Sequence, residues 1–254
     1  MTIERVVEEL AARAPRAGVF LDLDGTLAPI VARPELTEIL PEVRPALTRI
    51  AMRVEVVAVI SGRPSRQVRD LVDVEGVLIV GTHGLEDEPS MTTEVLQEVE
   101  ATAAAVGAWV EPKGAAAAVH FRGLEDPEGA EAASVGSLAA IAAAHGMEIV
   151  PGKRVLELMP AGRPRKGGAV ELIAGERGLQ GVLFAGDDVG DLDAFAALDR
   201  LRARGLWTCG VVARGEGTPP ELEAAADVVV EGPRGVAALL ASIAAALDRR
   251  APDP

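Results

Sequence analysis

The chain has 254 residues, 49% hydrophobic and 25% charged, with a formal net charge of -14 at pH 7. That suits a globular protein with a sizeable core, arranged as one large or two modest domains. The acidity argues against a nucleic-acid or anionic-membrane partner, so an anionic substrate needs local positive charge from a metal or from placed Lys and Arg. Tyrosine is absent and aromatics make up 2%, which leaves few stacking platforms; Cys209 is the single cysteine, so no internal disulfide forms and a reducing compartment, the cytoplasm, is expected.

The N-terminal stretch Met1 to Leu10 has dispersed charges and no apolar run of signal-peptide type. Residues 3–13 read as a short amphipathic helix closed by Pro15. The apolar run that follows predicts a buried parallel strand over 18–23, ending in Asp22-Leu23-Asp24-Gly25-Thr26. Two carboxylates one residue apart thus stand at a strand's carboxyl end, where open α/β sheets bind ligands. Strand alternation sends Asp22 and Asp24 the same way, and like charges that close need a cation between them or divided pKa values. A calcium loop starting at Asp22 is excluded, because its sixth and twelfth positions are Leu27 and Arg33 rather than glycine and glutamate. A solvated turn between strand and helix is the plain alternative.

A loop bounded by Pro29 and Pro34 leads to a helix from Pro41 to about Met52 and a strand over 55–60. That strand stops at Ser61-Gly62-Arg63-Pro64, and a helix is predicted over 64–72. Ser61 has two readings, a hydroxyl aimed at the same edge as Asp22 or a helix cap. A third strand, 77–80, ends in Gly81-Thr82-His83-Gly84, and the β-α-β-α-β alternation predicts a parallel sheet with right-handed crossovers. Between about 85 and 162 the pattern changes to a helix (92–106), strands (108–111, 115–121), an Ala-rich helix (127–145) and strands (147–150, 154–159). This predicts a small α+β module inserted into the α/β chain. The α/β rhythm returns with a helix over 166–177 opened by Lys166, a strand over 182–185, strands near 207–213 and 227–230, and a last helix over 234–247. The longest apolar segment, Val236 to Leu247, is shorter than the roughly 20 residues a membrane span needs.

The strand over 182–185 ends in a second acid cluster, Gly186-Asp187-Asp188-Val189-Gly190-Asp191. Asp22/Asp24, Ser61, Lys166 and Asp187/Asp188 therefore sit at four strand or helix termini. Together they suit phosphoryl transfer with a hard divalent cation. Carboxylate oxygens favour Mg2+, while a hydroxyl and an ammonium hold the remaining phosphate oxygens. One carboxylate can attack phosphorus as its neighbour protonates the leaving alcohol, roles that fit Asp22 and Asp24.

The order Asp-x-Asp-Gly-Thr, Ser-Gly-Arg, Lys, Gly-Asp-Asp-x-x-Asp resembles the haloacid dehalogenase superfamily of phosphatases over nearly the whole chain. The resemblance implies a Rossmann-like parallel-sheet α/β core, residues 1–84 and 163–254, with a substrate-specifying α+β cap over 85–162. It implies Asp22 as nucleophile and Asp24 as acid/base, and Mg2+ held by Asp22, the Asp24 carbonyl and Asp187. It also implies Ser61 and Lys166 on the phosphate, with Gly25, Thr26 and Gly62 beside them and Asp188 supporting the metal. Finer features are similar to the trehalose-6-phosphate phosphatase family: Gly81-Thr82-His83-Gly84, Glu111-Pro112-Lys113, Val119-His120-Phe121-Arg122, Gly152-Lys153, Leu156-Glu157-Leu158 and Asp193-Ala194-Phe195. By that pattern Glu111, Lys113 and Glu157 reach the sugar hydroxyls, and His83, Arg63 and Arg122 join the substrate-binding set. Met159 stands where the family has arginine, and Gly190 and Leu192 replace its Thr and Glu.

The expected activity is Mg2+-dependent hydrolysis of trehalose 6-phosphate by a cytoplasmic monomer. Its alternatives are another phosphorylated disaccharide or pseudo-disaccharide, a phosphomutase, or a non-catalytic sugar-phosphate-binding regulator. Arg63 and Arg122 have surface or structural readings beside the substrate one, and the three cap charges could merely solvate an outer face. His83, His120 and His145 show no i, i+4 pairing, which argues against a zinc site. Trp109 and Trp207 read as core residues on apolar strands.

Overall fold

The computed structural model describes residues 1–82, 89–162 and 165–250. The chain forms two compact units, one of residues 1–31, 35–83 and 164–254, the other of residues 32–34 and 84–163. In chain order the first unit begins with α1 (Ile3–Ala12), β1 (Ala17–Leu21), α2 (Val43–Ala51), β2 (Val56–Ile60), α3 (Ser65–Val72) and β3 (Val77–Val80). The second comprises α4 (Thr93–Ala104), β4 (Trp109–Lys113), β5 (Ala116–His120), α5 (Pro127–Ala144), β6 (Met147–Gly152) and β7 (Val155–Pro160). The chain then returns to the first unit through α6 (Lys166–Glu176), β8 (Gly181–Gly186), α7 (Leu192–Ala203), β9 (Trp207–Arg214), α8 (Pro220–Ala225), β10 (Val228–Glu231) and α9 (Gly232–Arg250).

The first unit is built on a six-stranded parallel sheet in the order β10-β9-β8-β1-β2-β3. Strands such as Val56–Ile60 and Gly181–Gly186 are buried along their whole length, which is why they read as unbroken apolar runs. Alternate residues feed two layers. Val19, Leu21, Val57, Val59 and Leu183 pack with α1, α2 and α9. Phe20, Ala58, Ile60, Val182 and Phe184 pack with α6 and α7, where Phe184 meets Phe195 edge to face. The buried Cys209 thiol is pushed up to about 12 by desolvation, which marks it as a core group rather than a nucleophile. From β1 the chain runs outward through β2 and β3; from β8 it runs outward on the other side. The switch point falls between β1 and β8, so the sheet itself designates the ends of those two strands as the site.

The second unit carries a four-stranded antiparallel sheet, β4-β5-β7-β6. One face presents Val119, Leu156, Leu158 and Ile149 to Val99 and Ala103 of α4 and Leu138 and Ala142 of α5. The other carries Trp109, Glu111 and Lys113 of β4, Ala116, Ala118 and His120 of β5, and Glu157 and Met159 of β7. The expected class, a parallel-sheet α/β core with a smaller α+β part, is what the chain forms. Two helices were not expected. α7 starts inside an Asp- and Gly-rich run that reads as loop, and α8 has six residues, too few to display a period. No helix among the described residues is long and apolar enough to cross a membrane.

Candidate active site

Asp22 and Asp187 each follow directly on the last residue of β1 and β8, and the Asp22 N–H donates to the Ala185 carbonyl at 2.9 Å. Past Asp22 the chain reverses tightly, with the N–H groups of Leu27 and Ala28 both donating to the Leu23 carbonyl. Gly25 makes the reversal possible. Its φ is +83°, and a Cβ there would lie 2.0 Å from Asp187 Oδ2. Next to it the Thr26 hydroxyl donates to Asp187 Oδ1 at 3.4 Å.

Lys166, the first residue of α6, turns its ammonium into this edge and donates to Asp22 Oδ1 at 2.6 Å and to Asp191 Oδ1 at 2.7 Å. Asp191 is wholly buried, and its other oxygen accepts the N–H groups of Asp187 at 2.9 Å and Asp188 at 3.0 Å. Oxygens of Asp22, Asp187 and Asp191 all lie within 4.8 Å of one another. Three buried carboxylates thus face one ammonium. Burial pushes the Asp22 carboxyl well above the usual range, with Asp191 and Asp187 adding to the rise and Lys166 opposing it. For Lys166 burial disfavours the ammonium, yet Asp191 and Asp22 outweigh it and hold the side chain protonated beyond its ordinary range. A buried all-oxygen donor set with surplus negative charge fits a hard divalent cation.

The Asp24 carboxylate is engaged elsewhere. Arg63 grips it in bidentate fashion, Nε to Oδ2 at 2.6 Å and Nη2 to Oδ1 at 2.8 Å, while the same Nη2 donates to Thr37 Oγ1 at 2.6 Å. Ser61 is the first residue after β2, buried, and its hydroxyl accepts the Arg63 N–H at 3.2 Å across Gly62. Pro64 holds the cap position of α3, which removes the helix-cap reading of Ser61. The Arg63 carbonyl accepts the N–H of Thr82, whose φ of +45° is strained for a β-branched residue. This bond ties the end of β3 to the Ser-Gly-Arg loop. His83 lies outside the described residues.

In the second unit the Lys113 ammonium donates to Glu157 Oε1 at 2.6 Å and stands 3.8 Å from Glu111 Oε2, which His120 Nε2 meets at 3.0 Å. The register explains the meeting: Ala118 stands between Glu111 and Glu157 and is short enough to let the charges converge over it.

A family model described as trehalose-phosphatase matches residues 20–212, from within β1 to within β9. The chain belongs to the trehalose-phosphatase family. It is 34% identical over 226 residues to an uncharacterized glycosyl hydrolase of Mycobacterium tuberculosis, covering 78% of this chain and 16% of that protein. It is 31% identical over 224 residues to a probable trehalose-phosphate phosphatase of Oryza sativa, covering 78% of this chain and 60% of that protein. The chain therefore spans less than two thirds of either relative. Among solved structures, the C-terminal domain of the Candida albicans trehalose-6-phosphate phosphatase superposes with a TM-score of 0.79 at 19% identity, covering 95% of this chain and 96% of that one, a likeness of fold.

Set against this trehalose-phosphatase architecture, three of the expected site residues carry contacts of their own. Asp188, expected to support the metal, has its carboxylate on the N–H of its neighbour Val189 at 2.6 Å, where it caps the 3-10 turn Val189–Asp191. That turn brings Asp191 inward instead, and the Asp187/Asp191 spacing of one helical turn was the signal for it. Arg63, expected on substrate, has its guanidinium on Asp24 and Thr37. Arg122 clamps the Lys153 carbonyl through Nε and Nη2 at 2.9 and 2.7 Å, bracing the β6–β7 hairpin. Trp109 is not a core residue; it is 39% exposed.

Proposed function

We propose that the chain hydrolyses trehalose 6-phosphate to trehalose and phosphate, with Mg2+ as cofactor and Asp22 as the phosphorylated residue. The carrying observation is the buried Asp22, Asp187 and Asp191 group bridged by Lys166 at the switch point of the sheet. In the first half-reaction a carboxylate oxygen of Asp22 attacks phosphorus, the bond from phosphorus to the sugar oxygen breaks, and Asp24 gives that oxygen a proton. In the second, Asp24 takes a proton from water, the water oxygen attacks phosphorus, and the bond to Asp22 breaks. Lys166 fixes the Asp22 rotamer and, with the Ser61 hydroxyl, offers donors to phosphate oxygens. Asp22, Asp187 and Asp191, with the Asp24 carbonyl, would hold Mg2+, which when bound offsets the charge on the phosphoryl oxygens.

Residues 1–84 and 163–254 form the catalytic part in this reading, and 85–162 supply the sugar contacts Glu111, Lys113 and Glu157. Carboxylates accept hydroxyl protons and the ammonium donates, a set suited to a polyol. The lone, buried Cys209 supports a reducing compartment, the cytoplasm. Met159 favours a second reading. It packs with Ala115, Ala116 and Val150 in an apolar patch on the face that carries Glu157, which allows a phosphorylated disaccharide with a different hydroxyl pattern.

Phosphate release tests this with Mg2+ present, across trehalose 6-phosphate, other disaccharide phosphates and glucose 6-phosphate. Trehalose 6-phosphate should give the highest kcat/KM, and Asp22→Asn should bring turnover to background while the thermal transition persists. Another disaccharide phosphate at the head of the series selects the second reading. Wild-type protein inert toward all of them overturns the enzyme assignment in favour of a binding role.

A further inference from the structure

The polar face of the β4-β5-β7-β6 sheet ends in an aromatic group that the catalytic reading does not use. Cross-strand register sets Trp109 of β4 against His120 of β5, and their rings stack with centroids 4.0 Å apart and planes 9° from parallel. His120 reaches Glu111 Oε2 at 3.0 Å, Glu111 stands 3.8 Å from the Lys113 ammonium, and Lys113 holds Glu157 at 2.6 Å. The indole is therefore fixed against a continuous polar chain that runs from His120 through Glu111 and Lys113 to Glu157. It is also 39% exposed, a costly condition for so large an apolar ring. Trp207, the other tryptophan, behaves differently: it packs against the core with the Arg13 guanidinium over its ring.

We propose that Trp109 is a stacking platform for a sugar ring of the substrate. A pyranose carries its hydroxyls around its rim and exposes C–H groups on its faces. A flat ring held rigid by His120 takes up that apolar face with little entropy loss, while Glu111 and Lys113 on the same strand face take hydroxyls at the rim. The arrangement uses every second residue of β4, Trp109, Glu111 and Lys113, so the strand pleat itself aligns platform and hydroxyl partners. The inference rests on the phosphatase reading and assigns it a further specificity residue in the inserted unit. Its alternative is purely structural: the indole props His120 so that His120 can hold Glu111.

The absence of tyrosine and the presence of two tryptophans give a direct readout. Trp207→Phe leaves Trp109 as the one strong fluorophore, and titration of that variant with trehalose, the unreactive product, should shift its emission saturably; inorganic phosphate should not. In kinetics, Trp109→Ala should lower kcat/KM for trehalose 6-phosphate about three- to tenfold and leave p-nitrophenyl phosphate within about twofold, with Trp109→Phe recovering most of the loss. No saturable emission change overturns the platform, as does a Trp109→Ala variant that loses both substrates equally or neither. Failure of the phosphatase reading shows separately, as a wild type that releases no phosphate from trehalose 6-phosphate. The trehalose titration decides the platform in that case too.

Discussion

Asp22 and Asp24 both follow the end of β1, and their partners give them different work. Asp22 is tied to Lys166 inside the carboxylate group, whereas Asp24 is held by Arg63 and Thr37. The pair and Lys166 were legible because acids at a strand end and a lysine at a helix start stand out in sequence. Asp191 and the Arg63 partnership were not. Three acids within five residues leave open which one a 3-10 turn buries, and an arginine after Ser-Gly reaches a phosphate or a neighbouring carboxylate with equal ease. The bidentate grip makes Arg63 a positioning residue for Asp24, with a distinct kinetic signature. Arg63→Ala should lower kcat for sugar phosphates about ten- to a hundredfold and affect p-nitrophenyl phosphate far less, because only the sugar oxygen needs a proton as it leaves. Arg63→Lys should recover only part, since an ammonium cannot reproduce the two parallel bonds. Equal losses on both substrates, with KM rising, would return Arg63 to the phosphate.

At the scale of elements, the buried strands announce themselves as apolar runs, whereas the division of β4, β5 and β7 into a packed and a polar face comes from their pairing register. The order of the strands was less accessible, because pairing of β1 with β8 joins segments some 160 residues apart in sequence and leaves no local mark. That pairing produces the tightest contact of the site, the approach of Gly25 to Asp187. Gly25→Ala meets two obstacles there, a left-handed φ and a Cβ that overlaps a carboxylate. Relief requires the loop after β1 or the Asp187 side chain to move. The expected cost is about 1–3 kcal/mol of stability, read by thermal or urea denaturation, together with weaker Mg2+ binding by titration calorimetry. A Gly25→Ala protein with unchanged stability and unchanged Mg2+ affinity would contradict the close approach.

Over the whole molecule the net charge of -14 makes divalent cations stabilising by general screening, so a specific site must be told from an acidic surface. The raised carboxyl of Asp22 supplies the distinction. A folded pKa above the unfolded one contributes stability that is fully present below the unfolded value, about 4, and is lost as pH rises through the folded value. With rising pH the folded protein thus comes to hold three buried carboxylates against the single Lys166 ammonium. Mg2+ replaces the lost proton and relieves that repulsion, and it competes with the proton for the same oxygens. The rise in Tm on adding Mg2+ should therefore be larger at pH 8 than at pH 5. Asp187→Asn should remove most of this difference, because one of the three ligands is gone while the net charge changes by only one unit and the exterior acids are untouched. Added NaCl should screen the exterior acids, weaken their share of the Mg2+ effect and spare the buried site. A Tm increment that is the same at both pH values, or that survives Asp187→Asn and disappears in salt, would assign the cation to the acidic exterior.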